Sequence, residues 1–260
     1  MCRWLAYQGH PIYLDQLIYE PEFSLVHQSL EARKAPTRVN ADGFGLGWYT
    51  SDRETPGQFH EVLPAWSDEN LRSLAHHITS HRFMAHVRAS TGTQVSRANC
   101  HPFIHHRWMF LHNGQIGEYE CLRWGLDRLL PEYLYVQRNG TTDSELIFLL
   151  MLSYGLEDTP LMAIQETIHH IEHLRKEKGI NTPFKASMCL SDGDSLWVVR
   201  YSSDGQPPTV FISYQEQGMV LASEPLDGVH SWVLLPAQSI HHLKSGEQTL
   251  TPLSCCPTMC

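Results

Sequence analysis

The residue whose type and place could do chemistry on its own is the second one. The chain opens Met1-Cys2-Arg3-Trp4-Leu5-Ala6-Tyr7. Cysteine is small enough for an initiator methionine ahead of it to be removed enzymatically. That removal would leave Cys2 carrying a thiol and a free α-amine. With reference pKa values of about 8.5 and about 8, the amine can take the thiol proton directly or through water. One residue then supplies both nucleophile and base. The competing reading is a chance cysteine on a frayed end.

Three more stretches carry chemistry-bearing residues. Arg88-Ala89-Ser90-Thr91-Gly92 is a small polar loop with one Arg, suited to clamping a carboxylate; a solvated charge at a strand end is the alternative. In His112-Asn113-Gly114, a side-chain amide beside a glycine N–H offers two convergent donors, which an oxyanion hole needs. By itself, though, Asn-Gly reads first as a hairpin turn. In Gly140-Thr141-Thr142-Asp143-Ser144-Glu145, Thr142 and Glu145 fit a capping box. Asp143 then falls in a first helical turn, as a dipole-friendly acid or as a carboxylate for a ligand ammonium. His169 and His173 stand at i, i+4, but no third ligand of matching spacing accompanies them, so no metal site is expected.

The elements that must position these residues follow from pattern. Trp4 to Tyr7 reads as the start of a buried strand, which would hold Cys2 rigidly. Tyr13 to Arg33 is mixed, with short helices interrupted at Pro21. Gly43, Gly45 and Gly47 leave a strand with bare backbone, either for tight packing or for close approach of a ligand. A helix is expected from Ser67, as N-cap, to about Thr79, and strands at Phe83 to Val87 and Trp108 to Leu111. Another helix runs from Asp143 to near Gly155. The next starts at Thr159-Pro160 with Leu161, Ile164, Ile168, Ile171 and Leu174 as its buried stripe and stops at Gly179. From Phe184 the chain is strand-rich, ending with Ser239 to Leu243. No repeat or linker interrupts it, so residues 1–260 read as one domain.

Composition sets outer bounds. The 260 residues are 42% hydrophobic and 18% charged, as in ordinary globular proteins. A net charge of -9 without a basic block argues against general nucleic-acid binding. No apolar run is long enough for a membrane span. No secretory pattern is seen, so a cytoplasmic location is expected. The seven cysteines are odd in number and include no C-x-x-C pair, consistent with free thiols.

Taken in order, Met1-Cys2, Arg88 to Thr91, His112-Asn113-Gly114 and Thr142-Asp143 resemble the glutaminase domain of class II glutamine amidotransferases, which are N-terminal-nucleophile hydrolases. The resemblance spans almost the whole chain. It implies an α+β fold, a four-layer αββα sandwich of two antiparallel sheets between helix layers. It implies Cys2 as nucleophile, Asn113 and Gly114 as the oxyanion pair, Arg88 on the substrate α-carboxylate and Asp143 on its α-ammonium. Thr91 and His112 are expected beside the substrate. No cofactor is implied. The partner is a small γ-glutamyl substrate, with a homo-oligomer or a separate partner enzyme left open.

Where synthase-type members carry Trp after the Arg and His after the Thr, this sequence has Ala89 and Gly92. No synthase domain follows in the chain, so ammonia delivery is in doubt. Met-Cys-Arg, Asn-Ala-Asp-Gly-Phe-Gly-Leu-Gly-Trp-Tyr and Leu-Ala-Ser-Glu-Pro-Leu-Asp look like the stand-alone γ-glutamyl hydrolases of ergothioneine biosynthesis; a similar fungal subunit degrades glutathione. The resemblance thus implies γ-glutamyl amide cleavage through a Cys2 thioester, with a bulky leaving group beside Ala89 and Gly92. Trp48 and Tyr49 are expected to border that pocket. The alternatives are an ammonia-supplying glutaminase subunit and a non-catalytic binding subunit. The presence of all the key positions speaks against the latter.

Overall fold

The computed structural model describes residues 2–34, 38–90, 94–244 and 246–253. Met1, Thr91, Gly92, Cys255, Cys256 and Cys260 lie outside the described residues.

The apolar run after Cys2 forms strand β1 (Arg3–Tyr13), near the middle of a seven-stranded antiparallel sheet. The other strands, in spatial order, are β11 (Val233–Leu234), β9 (Phe211–Gln215) and β10 (Gly218–Ala222) on one side. On the other lie β4 (Thr79–Val87), β2 (Phe44–Thr50) and β3 (Arg53–Glu61). A six-stranded antiparallel sheet holds β13 (Glu247–Pro252), β12 (Ser239–Lys244), β8 (Leu196–Ser202), β7 (Lys185–Ser191), β6 (Trp108–Gln115) and β5 (Phe103–His105) in that order.

Alternation along β1 explains why it reads as continuously apolar. Leu5 and Tyr7 pack outward with Leu17 and Ile18 of α1 (Asp15–Ile18), Leu25 of α2 (Leu25–Leu30), and Leu71 and Ala75 of α3 (Glu69–His77). Trp4 and Ala6 point the other way, into a core between the sheets with Met84, Met109, Leu111 and Val198. The outer face of the six-stranded sheet is covered by α4 (Tyr119–Asp127), α5 (Glu132–Tyr135), α6 (Asp143–Ser153) and α7 (Pro160–Glu177). The result is the expected αββα order of layers.

The glycine-rich strand is a packing device. A Cβ on Gly45 would lie 2.0 Å from the His101 carbonyl oxygen, and one on Gly47 would lie 2.4 Å from the Met109 sulfur. The bare backbone lets the sheets approach each other.

Several expectations need correction. Asp68, not Ser67, caps α3, its carboxylate accepting from Leu71 N at 2.7 Å; Ser67 donates to the Pro64 carbonyl instead. That helix stops at His77, and β4 begins at Thr79. In α7, Leu161 is 37% exposed; the buried face is Ala163, Ile164, Thr167, Ile168, Ile171 and Arg175. The strands after Phe184 divide between the two sheets, and β13 follows beyond Leu243. His112-Asn113-Gly114 is not a turn: it lies inside β6, opposite Met188, Ser187 and Ala186 of β7.

Candidate active site

Cys2 sits immediately before β1, and its sulfur is held against the strand end of β4. The thiol lies 3.6 Å from the Ala89 carbonyl oxygen and 3.5 Å from the Ala89 amide nitrogen. Packing around the sulfur raises the thiol pKa; the Ala89 contact and the nearby guanidinium groups of Arg88 and Arg3 oppose that rise. The site therefore stores a protonated thiol that needs a base to become a nucleophile.

Antiparallel pairing puts Arg88 beside Cys2. Arg3 opposes Val87 in the β1–β4 register, so the residues flanking that pair meet at the same end of the sheet. Arg88 is 3% exposed. It donates to the carbonyls of Asp42 and Gln94, both at 3.3 Å, while its backbone exchanges bonds with Gly43 and Asp42. The Asp42 carboxylate accepts from Ser90 N at 2.7 Å, which fixes the loop leaving β4.

Asp143 is the first residue of α6. Thr142 caps this helix, accepting from Glu145 N at 3.2 Å. Glu145 does not close the box on Thr142; it reaches back to Asn139 N and Gly140 N at 2.8 and 2.7 Å. Asp143 accepts from Ile116 N at 2.7 Å, tying the helix start to the end of β6. His112 braces the same junction, with Nδ1 2.8 Å from the Ser144 hydroxyl and Nε2 3.4 Å from the Lys185 carbonyl. Since a carbonyl only accepts, Nε2 carries the proton toward Lys185, while the Ser144 hydroxyl lies between His112 Nδ1 and the Asp143 carboxylate, to which it donates at 3.4 Å. Burial lowers the His112 pKa, although Asp143 and the Lys185 carbonyl pull it up.

Asn113 is 1% exposed, and neither side-chain amide atom has a partner among the described residues. Buried amides are nearly always satisfied, so an unpartnered amide at this depth stands out. Gly114 is required by packing, because a Cβ there would fall 1.9 Å from the Lys185 carbonyl oxygen. Two hydrogen bonds tie Asn113 to the nucleophile strand. Trp4 Nε1 donates to Ser187 Oγ at 3.2 Å, and Ser187 Oγ donates to the Asn113 carbonyl at 3.3 Å.

These residues surround one cavity of about 430 Å³, walled by Cys2, Arg88, His112, Gly114 and Asp143 among others. Asn113 lies between two wall residues without itself lining the cavity. Thr91 falls outside the described residues; its neighbours Ala89 and Ser90 line the cavity. Trp48 and Tyr49 do not. Trp48 packs over Gly57, and Tyr49 donates to the carbonyls of Arg107 and Ser191 at 2.6 and 3.0 Å, deep between the sheets. The wall aromatic is Tyr119, at the start of α4.

Sequence reasoning also missed Asn99. Its amide oxygen accepts from Thr141 N at 2.8 Å and its nitrogen donates to the Gln94 carbonyl at 2.8 Å, joining the loop after Arg88 to the loop before Asp143. Nothing in the local sequence around Asn99 pointed to this bridge. As for metal ligands, His105, His106 and Glu157 bring ligand atoms within 4.8 Å of one another, but none lines the cavity. His169 and His173 stack with ring centroids 6.3 Å apart.

The family model for class II glutamine amidotransferases matches residues 16–205. A probable glutamine amidotransferase, DUG3, of Saccharomyces cerevisiae is 30% identical, over 97% of this chain and 84% of its own length. A gamma-glutamyl-hercynylcysteine sulfoxide hydrolase of Mycolicibacterium smegmatis is 27% identical, over 97% of this chain and all of its own. A solved class-II glutamine aminotransferase domain protein from Silicibacter pomeroyi superposes with a TM-score of 0.76 at 35% identity, covering 96% of this chain and 99% of that one.

Proposed function

The chain belongs to the class II glutamine amidotransferases, and from that premise we propose that it is an amidohydrolase that cleaves a γ-glutamyl amide through a thioester on Cys2. The observation that carries this reading is the convergence on one cavity of a thiol, a buried cation, a carboxylate and, beside the cavity, an unsatisfied amide.

In the proposed reaction, removal of Met1 frees the Cys2 α-amine. Arg88 takes the α-carboxylate of the glutamyl head and Asp143 its α-ammonium, so the γ-carbonyl is placed over the Cys2 sulfur. The amine accepts the thiol proton as sulfur attacks. The oxyanion receives hydrogen bonds from Asn113 Nδ2 and Gly114 N. Collapse breaks the C–N bond, and the amine-held proton goes to the leaving nitrogen. Water then attacks the thioester, giving one proton back through the amine to the sulfur and releasing glutamate.

The leaving group is proposed to be larger than ammonia. Ala89 stands beside the Cys2 sulfur as a small residue, and Tyr119 and Cys121 line the same cavity. The leaving group proposed is that of a γ-glutamyl-cysteinyl conjugate. The comparisons include a hydrolase whose name specifies a substrate of that class.

Kinetics test the choice. We expect kcat/KM for γ-glutamyl-cysteinyl substrates, including glutathione and a γ-glutamyl conjugate of hercynine, to exceed that for glutamine. If glutamine wins by tenfold or more, about 1.4 kcal/mol in transition-state binding, the chain is instead an ammonia-supplying glutaminase.

A further inference from the structure

Residues 221 positions apart meet behind the nucleophile. Arg3 Nε bonds Glu224 Oε1 at 2.6 Å, and Arg3 Nη1 donates to the Cys2 carbonyl at 2.7 Å. Both side chains are almost fully buried, at 1% and 3% exposure. The guanidinium fork is thus split between an acid and the backbone of the nucleophile. The second oxygen of Glu224 is not spent on Arg3. It accepts from Arg33 N at 2.9 Å, while Oε1 also accepts from Lys34 N at 2.8 Å. The neighbouring residues zip the same two segments together: Trp4 N donates to Ser223 Oγ at 3.1 Å, and Ser223 N to the Trp4 carbonyl at 2.9 Å.

A buried ion pair is poor stabilising material, since desolvation offsets much of its attraction and apolar replacements are often as stable. Its presence beside the reacting residue asks for a purpose other than stability. We propose that the Arg3–Glu224 pair is a positioning clamp for the N-terminal nucleophile, fixing the Cys2 backbone and setting the proton affinity of its α-amine. The inference rests on the Cys2 reading above.

The physical argument has two parts. First, a freed N-terminal residue has lost the chain ahead of it, so only its carbonyl and side chain can orient it. Arg3 holds the carbonyl, which leaves the amine to face the thiol. Second, a guanidinium on that carbonyl is within a residue's breadth of the amine. A near cation favours the neutral amine, the form a base needs; Arg88, from the end of β4, adds to the same field, and it and the Cys2 thiol are common to every variant below. Glu224, further off on the far side of Arg3, moderates that field.

The two partners therefore make opposite predictions. With the mature wild-type enzyme, the ascending limb of kcat/KM against pH reports the free-enzyme base. Arg3→Met removes the cation and leaves Glu224, so the limb moves to higher pH. Glu224→Gln leaves an unneutralised cation, so the limb moves to lower pH. Arg3→Lys keeps the charge but cannot span both Glu224 and the Cys2 carbonyl; its limb stays in place while kcat falls. All three variants should lose kcat tenfold or more with KM for the γ-glutamyl substrate within about twofold.

If Arg3→Met does not fold, Glu224→Gln and Arg3→Lys carry the test between them, with thermal melting as the folding control. Folded variants that keep kcat within twofold, or limbs that do not move with the sign of the removed charge, overturn the clamp. The Cys2 reading fails separately, if Cys2→Ala turns over like the wild type, and the clamp then falls with it.

Discussion

At the scale of single residues, the proposed roles divide between holding the substrate and stabilising the transition state, and the two leave different kinetic traces. Arg88 is buried, so breaking the charge pair proposed between it and the substrate carboxylate should cost on the order of 2–5 kcal/mol. Arg88→Ala and Asp143→Ala are expected to raise KM strongly, and steady-state kinetics with substrates lacking the α-amine or α-carboxylate check the assignment. Asn113→Ala should instead lower kcat by about a hundredfold or more, roughly 2.7 kcal/mol or above, with little change in KM. An Asn113→Ala variant that raises KM but keeps kcat would move Asn113 from the oxyanion to the head group. Cys2 could be singled out in the sequence because the role proposed for it depends on its ordinal position. Arg3 and Glu224 were legible only as members of motifs: nothing local says that residues 3 and 224 touch, and the pairing arises from β1 lying against β10.

At the scale of elements, the proposed anchor for the substrate amine is a helix start, and its capping was readable. Thr142 caps α6 as expected, but Glu145 braces the loop at Asn139 and Gly140 rather than the cap residue. Thr142→Ala is expected to cost about 1 kcal/mol of stability and to weaken substrate binding more than a surface mutation of equal cost, measured as a lower Tm with a raised KM. The Asn113-Gly114 pair illustrates the opposite case. As a dipeptide it signals a hairpin, yet it runs straight through β6 because the flanking Leu111 and Ile116 are buried and β7 pairs with it in register. Tertiary pairing outweighed local turn chemistry. The Trp48-Tyr49 expectation failed for a related reason: alternation in β2 sends one ring over Gly57 and the other between the sheets, so neither reaches the cavity.

At the scale of the whole molecule, the layers were legible through the resemblance, whereas the division of the last strands between two sheets was not, since both halves carry the same alternation. The sandwich also encloses histidines: His86 is buried at 1% exposure and His60 is half-buried. Desolvation is the largest cause that pushes His60 down to about 4 and His86 down to about 3. Their unfolded pKa is about 6.5. Between those values the unfolded chain binds more protons than the folded one, so stability rises with pH there and is lost as pH falls below about 6.5. Melting temperatures are expected to drop steadily from pH 6.5 toward pH 4, and His60→Gln should flatten part of that slope. A Tm independent of pH across this window would show that these rings are not held neutral.

The most direct measurement is the mass of the enzyme caught in turnover. Mature protein mixed with a γ-glutamyl-cysteinyl substrate and quenched in acid is predicted to carry one glutamyl group, mapped by peptide mass spectrometry to an N-terminal peptide that begins at Cys2. The adduct should be absent from Cys2→Ala, which should also be inactive. A glutamyl group on Cys121 or elsewhere, or full turnover by Cys2→Ala, would contradict the account.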